Sequence, residues 1–172
     1  MNTMQTTNRN RWTFLGLGCA LIIAACGPKH PDSASRTCDE RAESIALLEA
    51  SLFEETSEVQ VDKRNALMIE YADFANACHD DVRTPEWLFR RADLLRSAGK
   101  FQEAMTQLRD VHDHYKDFDK RPVCAFLIGF IAEVDLNDRE QAKTTYEQVI
   151  ALHPTSDAAI WAQQSIEYLE FE

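Results

Sequence analysis

Ala104, Leu108 and Val111 recur as Ala142, Tyr146 and Val149, separated in both places by four and then three residues. Leu67, Tyr71 and Phe74 hold the same spacing with bulkier side chains, and the steps between equivalents are 37 and 38 residues. Apolar residues four and three apart share one face of a helix. A copy of that face every few tens of residues marks stacked helical hairpins. From residue 38 onward no stretch alternates with the two-residue period of a strand. The sequence therefore predicts an all-α chain: a solenoid of three antiparallel helix pairs plus a C-terminal capping helix, seven helices in total.

The pairs fall at 38–80, 85–116 and 123–154, with the cap at 155–170. In the first pair, Ile45, Leu48, Leu52 and Phe53 give one face of a helix over 39–55. The polar run TSEVQVD reads as its turn, and Leu67, Tyr71, Phe74 and Cys78 form the stripe of a second helix over 62–78. A hairpin centred on residue 58 sets Cys38 and Cys78 facing each other at its open end, each twenty residues from the centre. There they either form a disulfide or remain one exposed and one packed thiol, since sequence does not settle pairing. Thr84, Pro85 and Glu86 give the third helix a cap and a proline in its first turn. A final helix over 156–169 turns Ala159, Ala162, Ile166 and Leu169 inward and polar residues outward.

Ala92, Leu95, Gly99, Phe101, Ala104 and Leu108 in one unit, and Gly129, Ala132, Ala142, Tyr146, Val149 and Pro154 in the next, resemble the tetratricopeptide-repeat family. The likeness covers about residues 85–170, with 38–80 as a degenerate copy. Two departures stand out: Arg91 occupies a position where a core leucine is usual, and Leu136, Asn137 and Asp138 make the second turn one residue longer. The pattern has its own physical sense. Small residues at 92, 104, 129, 132 and 142 let paired helices approach, larger neighbours fill the space beside them, and stacking completes the core. The resemblance implies a concave groove, lined by the first helix of each pair, that receives a partner's peptide. By repeat position it places Phe89, Asp93 and Arg96, then Phe126 and Phe130, then Trp161 in that groove. The competing reading buries Phe126 and Phe130 as core against the first hairpin, because the helix around VCAFLIGFIAEV is apolar nearly all round.

Upstream, Arg9 and Arg11 precede a run of apolar and small residues over 12–25, and then come Cys26, Gly27 and Pro28. A basic segment, a short greasy segment and small residues before a cut site describe an export signal, here 1–25. A spanning helix would need about 20 apolar residues. Ile23, Ala24, Ala25 and Cys26 resemble the lipobox of bacterial lipoproteins, which implies that Cys26 carries the lipid. Cys19 fits less well, because Gly16 stands where the aliphatic residue is wanted. Two or three acyl chains (palmitate among them) would hold the protein to a membrane firmly, with 26–37 as a flexible tether rich in proline and small polar residues. Gly27 is not the aspartate that retains enterobacterial lipoproteins at the inner membrane, so the resemblance favours the outer membrane of a bacterial cell envelope. A lipobox followed by a few repeats also resembles, in layout, envelope repeat lipoproteins such as the periplasmic Tol-Pal coordinator and the outer-membrane assembly lipoproteins.

Without Arg9 and Arg11, 16 basic residues face 29 acidic ones, a charge of about −13. Such a surface repels phosphate backbones and disfavours nucleic acid. No nucleophile elbow, phosphate loop or HExxH motif occurs in the sequence. His112 and His114 stand two apart on a helix and point about 200° apart, so they cannot chelate one ion. His79, Asp80 and Asp81 form a loop cluster without a matched second one, and Cys124 reads as an inert packed thiol. The expectation is a non-enzymatic scaffold with no cofactor and no metal, holding an envelope protein or peptide. A periplasmic redox or metal-handling protein using Cys38, Cys78, His79 and Asp80 is the alternative, and self-association as a homo-oligomer is a third reading.

Overall fold

The computed structural model of this protein describes residues 36–52 and 57–171. The leader, Cys26, most of the tether and Phe53 lie outside these residues. Among them the chain is all helical, with no strand: α1 (Cys38–Ser51), α2 (Ser57–Ala77), α3 (Thr84–Ser97), α4 (Phe101–His114), α5 (Arg121–Phe130), α6 (Arg139–Leu152) and α7 (Asp157–Phe171). A π-helical turn, Ile131–Asp135, continues α5. Each helix packs on its neighbour in sequence and α5 also meets α7, the arrangement of a tetratricopeptide-like solenoid. No helix among the described residues is long and apolar enough to cross a membrane.

Small residues set the spacing. Ala92, Ala104, Ala132 and Ala142 are buried, with Leu95, Leu108 and Tyr146 equally buried beside them. Gly129 is the closest approach: a Cβ there would lie 2.7 Å from Cε1 of Tyr146. One large core unites α3 to α7, while Ile45, Leu67, Tyr71, Phe74 and Cys78 form a smaller one that Trp87 of α3 closes. Arg91, at its unusual position, stays half-buried and sends its guanidinium to the Met68 carbonyl (3.1 Å) and to Oε1 of Gln107 (2.5 Å).

The first hairpin departs from the sequence reading in its boundaries. α2 begins at Ser57, so most of the TSEVQVD run is helix rather than turn. That run holds no glycine or proline to stop a helix, and polarity alone does not. Lys63 Nζ of α2 donates to the Ser51 carbonyl, at the end of α1, at 3.2 Å. The open end still closes: Cys38 and Cys78 are joined by a disulfide, with Cα atoms 6.0 Å apart. Closing a loop of 40 residues is worth roughly 4 kcal/mol on the chain-entropy account. Thr84 is not a cap either. It already lies in α3, and its hydroxyl donates to the Cys78 carbonyl at 2.6 Å, serving the end of α2 instead.

The longer turn has a definite location. In α3–α4 the left-handed residue is Gly99 (φ 75°), and Lys100 N–H returns to the Leu95 carbonyl at 2.9 Å. In α5–α6 the left-handed residue is Asn137 (φ 53°), and Asp138 N–H returns to the Ala132 carbonyl at 2.7 Å. Gly99 and Asn137 both lie five residues before the buried alanines Ala104 and Ala142. The additional residue therefore sits inside the helix end, where the π turn absorbs it. Asp138 then caps α6 by accepting from Gln141 N–H at 3.0 Å.

In α7, Ala158, Ala159, Ala162 and Ile166 are buried and Leu169 is half-buried, while Ile160, Trp161, Tyr168 and Phe171 are exposed along with the polar residues. Substituting Gly129→Ala should destabilise the domain by about 1–3 kcal/mol, because the new methyl meets a fully buried ring. Urea denaturation of the variant beside the parent measures it.

Candidate functional site

The first helices of the second and third pairs, α3 and α5, and the last helix, α7, present one connected row of side chains. Phe126 and Phe130 stand one turn apart on α5, their ring centroids separated by 6.2 Å. Trp161 of α7 meets Phe126 edge-on at 5.6 Å and keeps 41% of its surface exposed. Tyr146 of α6 stacks on Phe126 at 5.4 Å from the core side. On the other flank, Arg96 of α3 lies over the Phe130 ring, 4.9 Å from its centroid. Its Nε donates to Oδ2 of Asp135 at 2.5 Å and its Nη2 to Oδ1 at 3.3 Å. Asp93, exposed one turn before Arg96, adds to the negative field around the guanidinium.

Electrostatics keep the Arg96 guanidinium charged and the Tyr146 phenol neutral. The hydrogen bond from Arg96 to Asp135 raises the guanidinium's pKa further, against some loss of hydration. Burial, joined by the hydrogen bond that Tyr146 Oη donates to Oε2 of Glu133 (2.6 Å), lifts the phenol well above its ordinary value. The row is thus two half-buried phenylalanines and a half-exposed tryptophan, with a preset cation–carboxylate pair at one end. Such a surface offers apolar anchoring and one polar orienting contact.

Of the six residues placed in the groove from sequence, the structure brings five together and sets one apart. Phe89 shares the face of α3 that carries Asp93 and Arg96, but its ring packs on Phe118 at 6.2 Å and lies under Lys120 Nζ at 5.1 Å. Lys120 is held there by Glu86 (2.8 and 2.9 Å), which also binds Arg90 (3.0 Å), itself paired with Glu49 (2.8 Å). Phe126 packs against the large core rather than that of the first hairpin, and neither it nor Phe130 is fully buried. Sequence reasoning missed Asp135 and Glu133, whose placement depends on the π turn, and gave Tyr146 a filling role only.

Residues 124–156 match the family model of the tetratricopeptide repeat. The chain contains such a repeat, formed by α5, the π turn and α6. No curated protein matches the chain. Tetratricopeptide repeats mediate protein–protein contacts in general, which makes the row centred on this repeat's first helix the leading candidate site. A surface cleft of about 770 Å³ runs between Arg109 and the polar face of α6, away from the row.

The other chemistry-bearing residues are scattered. His79 Nε2 meets Oδ2 of Asp80 at 2.9 Å with both side chains largely in solvent. They border a cleft of about 550 Å³ with Asp81, His114 and Asp119. Among the described residues, no group of three or more histidine, cysteine or acidic side chains is arranged to hold a metal. Burial pushes the Cys124 thiol up to about 12, far from a reactive thiolate.

The row separates two kinds of contribution to stability. Tyr146→Ala should cost about 3–5 kcal/mol by opening a cavity under Phe126. Asp135→Asn should cost no more than about 1 kcal/mol, since its pair with Arg96 is partly solvated. Equilibrium denaturation of the two variants tests that order.

Proposed function

We propose that this protein is a lipid-anchored, non-catalytic scaffold of the bacterial cell envelope that holds a protein or peptide over the Phe126, Phe130 and Trp161 row. The observation that carries the reading is the convergence of half-exposed aromatic side chains and an ordered ion pair from α3, α5 and α7. Phe126 and Trp161 offer apolar contact, and Arg96 with Asp135 supplies a charged edge that would orient a bound segment. The tetratricopeptide repeat supports a protein partner in general. Lipidation at Cys26, tethering through 26–37 and residence at the outer membrane are supported by the lipobox-like Ile23, Ala24, Ala25 and Cys26 and by Gly27.

A second reading, redox or metal handling through Cys38, Cys78, His79 and Asp80, draws support from the disulfide itself. Cys78 is buried, however, and the next-door His79 and Asp80 pair with each other in solvent. A structural staple accounts for the bridge more directly.

Crosslinking pull-down from envelope fractions tests the groove. Replacing Phe126 and Trp161 together by alanine should weaken capture of the partner roughly 30-fold, the effect of losing one strong anchor of about 2 kcal/mol. If parent and variant capture the same proteins in equal amounts, the groove assignment fails. The anchor is tested separately: Cys26→Ser should abolish palmitate labelling and release the protein from membranes, and unchanged labelling would refute lipidation at that residue.

A further inference from the structure

We propose that His112 and His153 form an acid-opened latch between the second and third helical pairs: the two rings share a hydrogen bond that tolerates one added proton and breaks with the second. His112 sits in the last turn of α4, and His153 caps the C-terminus of α6, 41 residues later. Their Nε2 atoms are 3.0 Å apart and their rings are nearly perpendicular, at 87°. Nδ1 of His112 lies 2.8 Å from Oδ1 of Asp113.

These contacts constrain where the hydrogens go. An ionised carboxylate only accepts, so Nδ1 of His112 carries the hydrogen that meets Asp113. With His112 neutral, its Nε2 is bare and accepts from Nε2–H of His153. With His112 protonated, the bond reverses and a neutral His153 accepts. With both rings protonated, two N–H groups confront each other at 3.0 Å and no arrangement satisfies them. The His112 side chain is only 11% exposed, so water cannot readily take over its bond while α4 and α6 stay together.

The surroundings resist the second proton. Asp113, from α4, is the favourable neighbour, and it stays ionised because the His112 hydrogen bond lowers its pKa. Lys116, in the following loop, acts on Asp113 in the same direction. Arg121 of α5 opposes a charge on His153, and its Nε also grips the His112 carbonyl at 2.8 Å. Arg109 of α4 borders the adjoining cleft, to which α6 contributes the uncharged Thr145, Gln148 and Leu152. Burial above all, then the charges of His112 and Arg121, depress the His153 pKa below 6.5. A depressed folded-state value means that this stabilisation is complete above 6.5 and fades as pH falls from there. Opening would begin where α4 and α6 end, on the same two pairs that Arg96 and Asp135 tie together across the row.

The test compares full-length parent protein with His153→Gln, whose side chain can donate to or accept from His112 and cannot gain a proton. Between pH 7.5 and pH 5.0 the parent's Tm should fall by about 2–4 °C more than the variant's, the shift one lost interaction makes in a chain of this size. Equal falls in both would overturn the latch. Imidazole ¹⁵N titration of the parent reads the pair without any substitution: two separated, mutually dependent steps support it, and two independent ordinary curves refute it. A repeat with micromolar Zn²⁺ covers the remaining chemistry. Stabilisation of the parent that His153→Gln abolishes would make the pair a metal site and overturn the proton reading, whereas no effect in either protein leaves proton sharing as the account.

Discussion

The contact between Gly129 and Tyr146 governs the arrangement around it. Because α5 presents no side chain at residue 129, the Tyr146 ring lies flush against its backbone, fully buried. That seating fixes Phe126, which stacks on Tyr146, and through Phe126 the position of Trp161. It also points the phenol at Glu133, in the π turn, and the same turn carries Asp135 to Arg96. A missing methyl group in the core thus reaches the surface row through two further layers of side chains.

Much of this was legible because helix period and small–large alternation are local properties. The stripe of Ala104, Leu108 and Val111, repeated as Ala142, Tyr146 and Val149, requires paired helices whatever lies around them. The disulfide sat within reach of the same reasoning, although α2 proved longer. The start of α2 escaped it because a polar run without glycine or proline carries no stop signal. The extra residue before Asp138 was visible as a count, but which turn absorbed it depends on the packing of Ala132 and Ala142.

The candidate site divides along the same line. Phe126, Phe130, Trp161 and Arg96 follow from repeat position, since first helices of successive pairs align on one side. Phe89 follows from it equally and yet lies under Phe118 and Lys120, because the loop joining α4 to α5 folds back over α3. Asp135 and the meeting of His112 with His153 depend on three-dimensional register between pairs, which no spacing along the chain encodes.

The bridge between Cys38 and Cys78 makes the first hairpin a closed covalent ring. A peptide bond cut anywhere inside that ring leaves both fragments joined through sulfur, and α1 remains fastened beside the end of α2. Proteolytic nicking there would thus leave the array's first unit in place, a durability that the later pairs, which carry no disulfide, do not share.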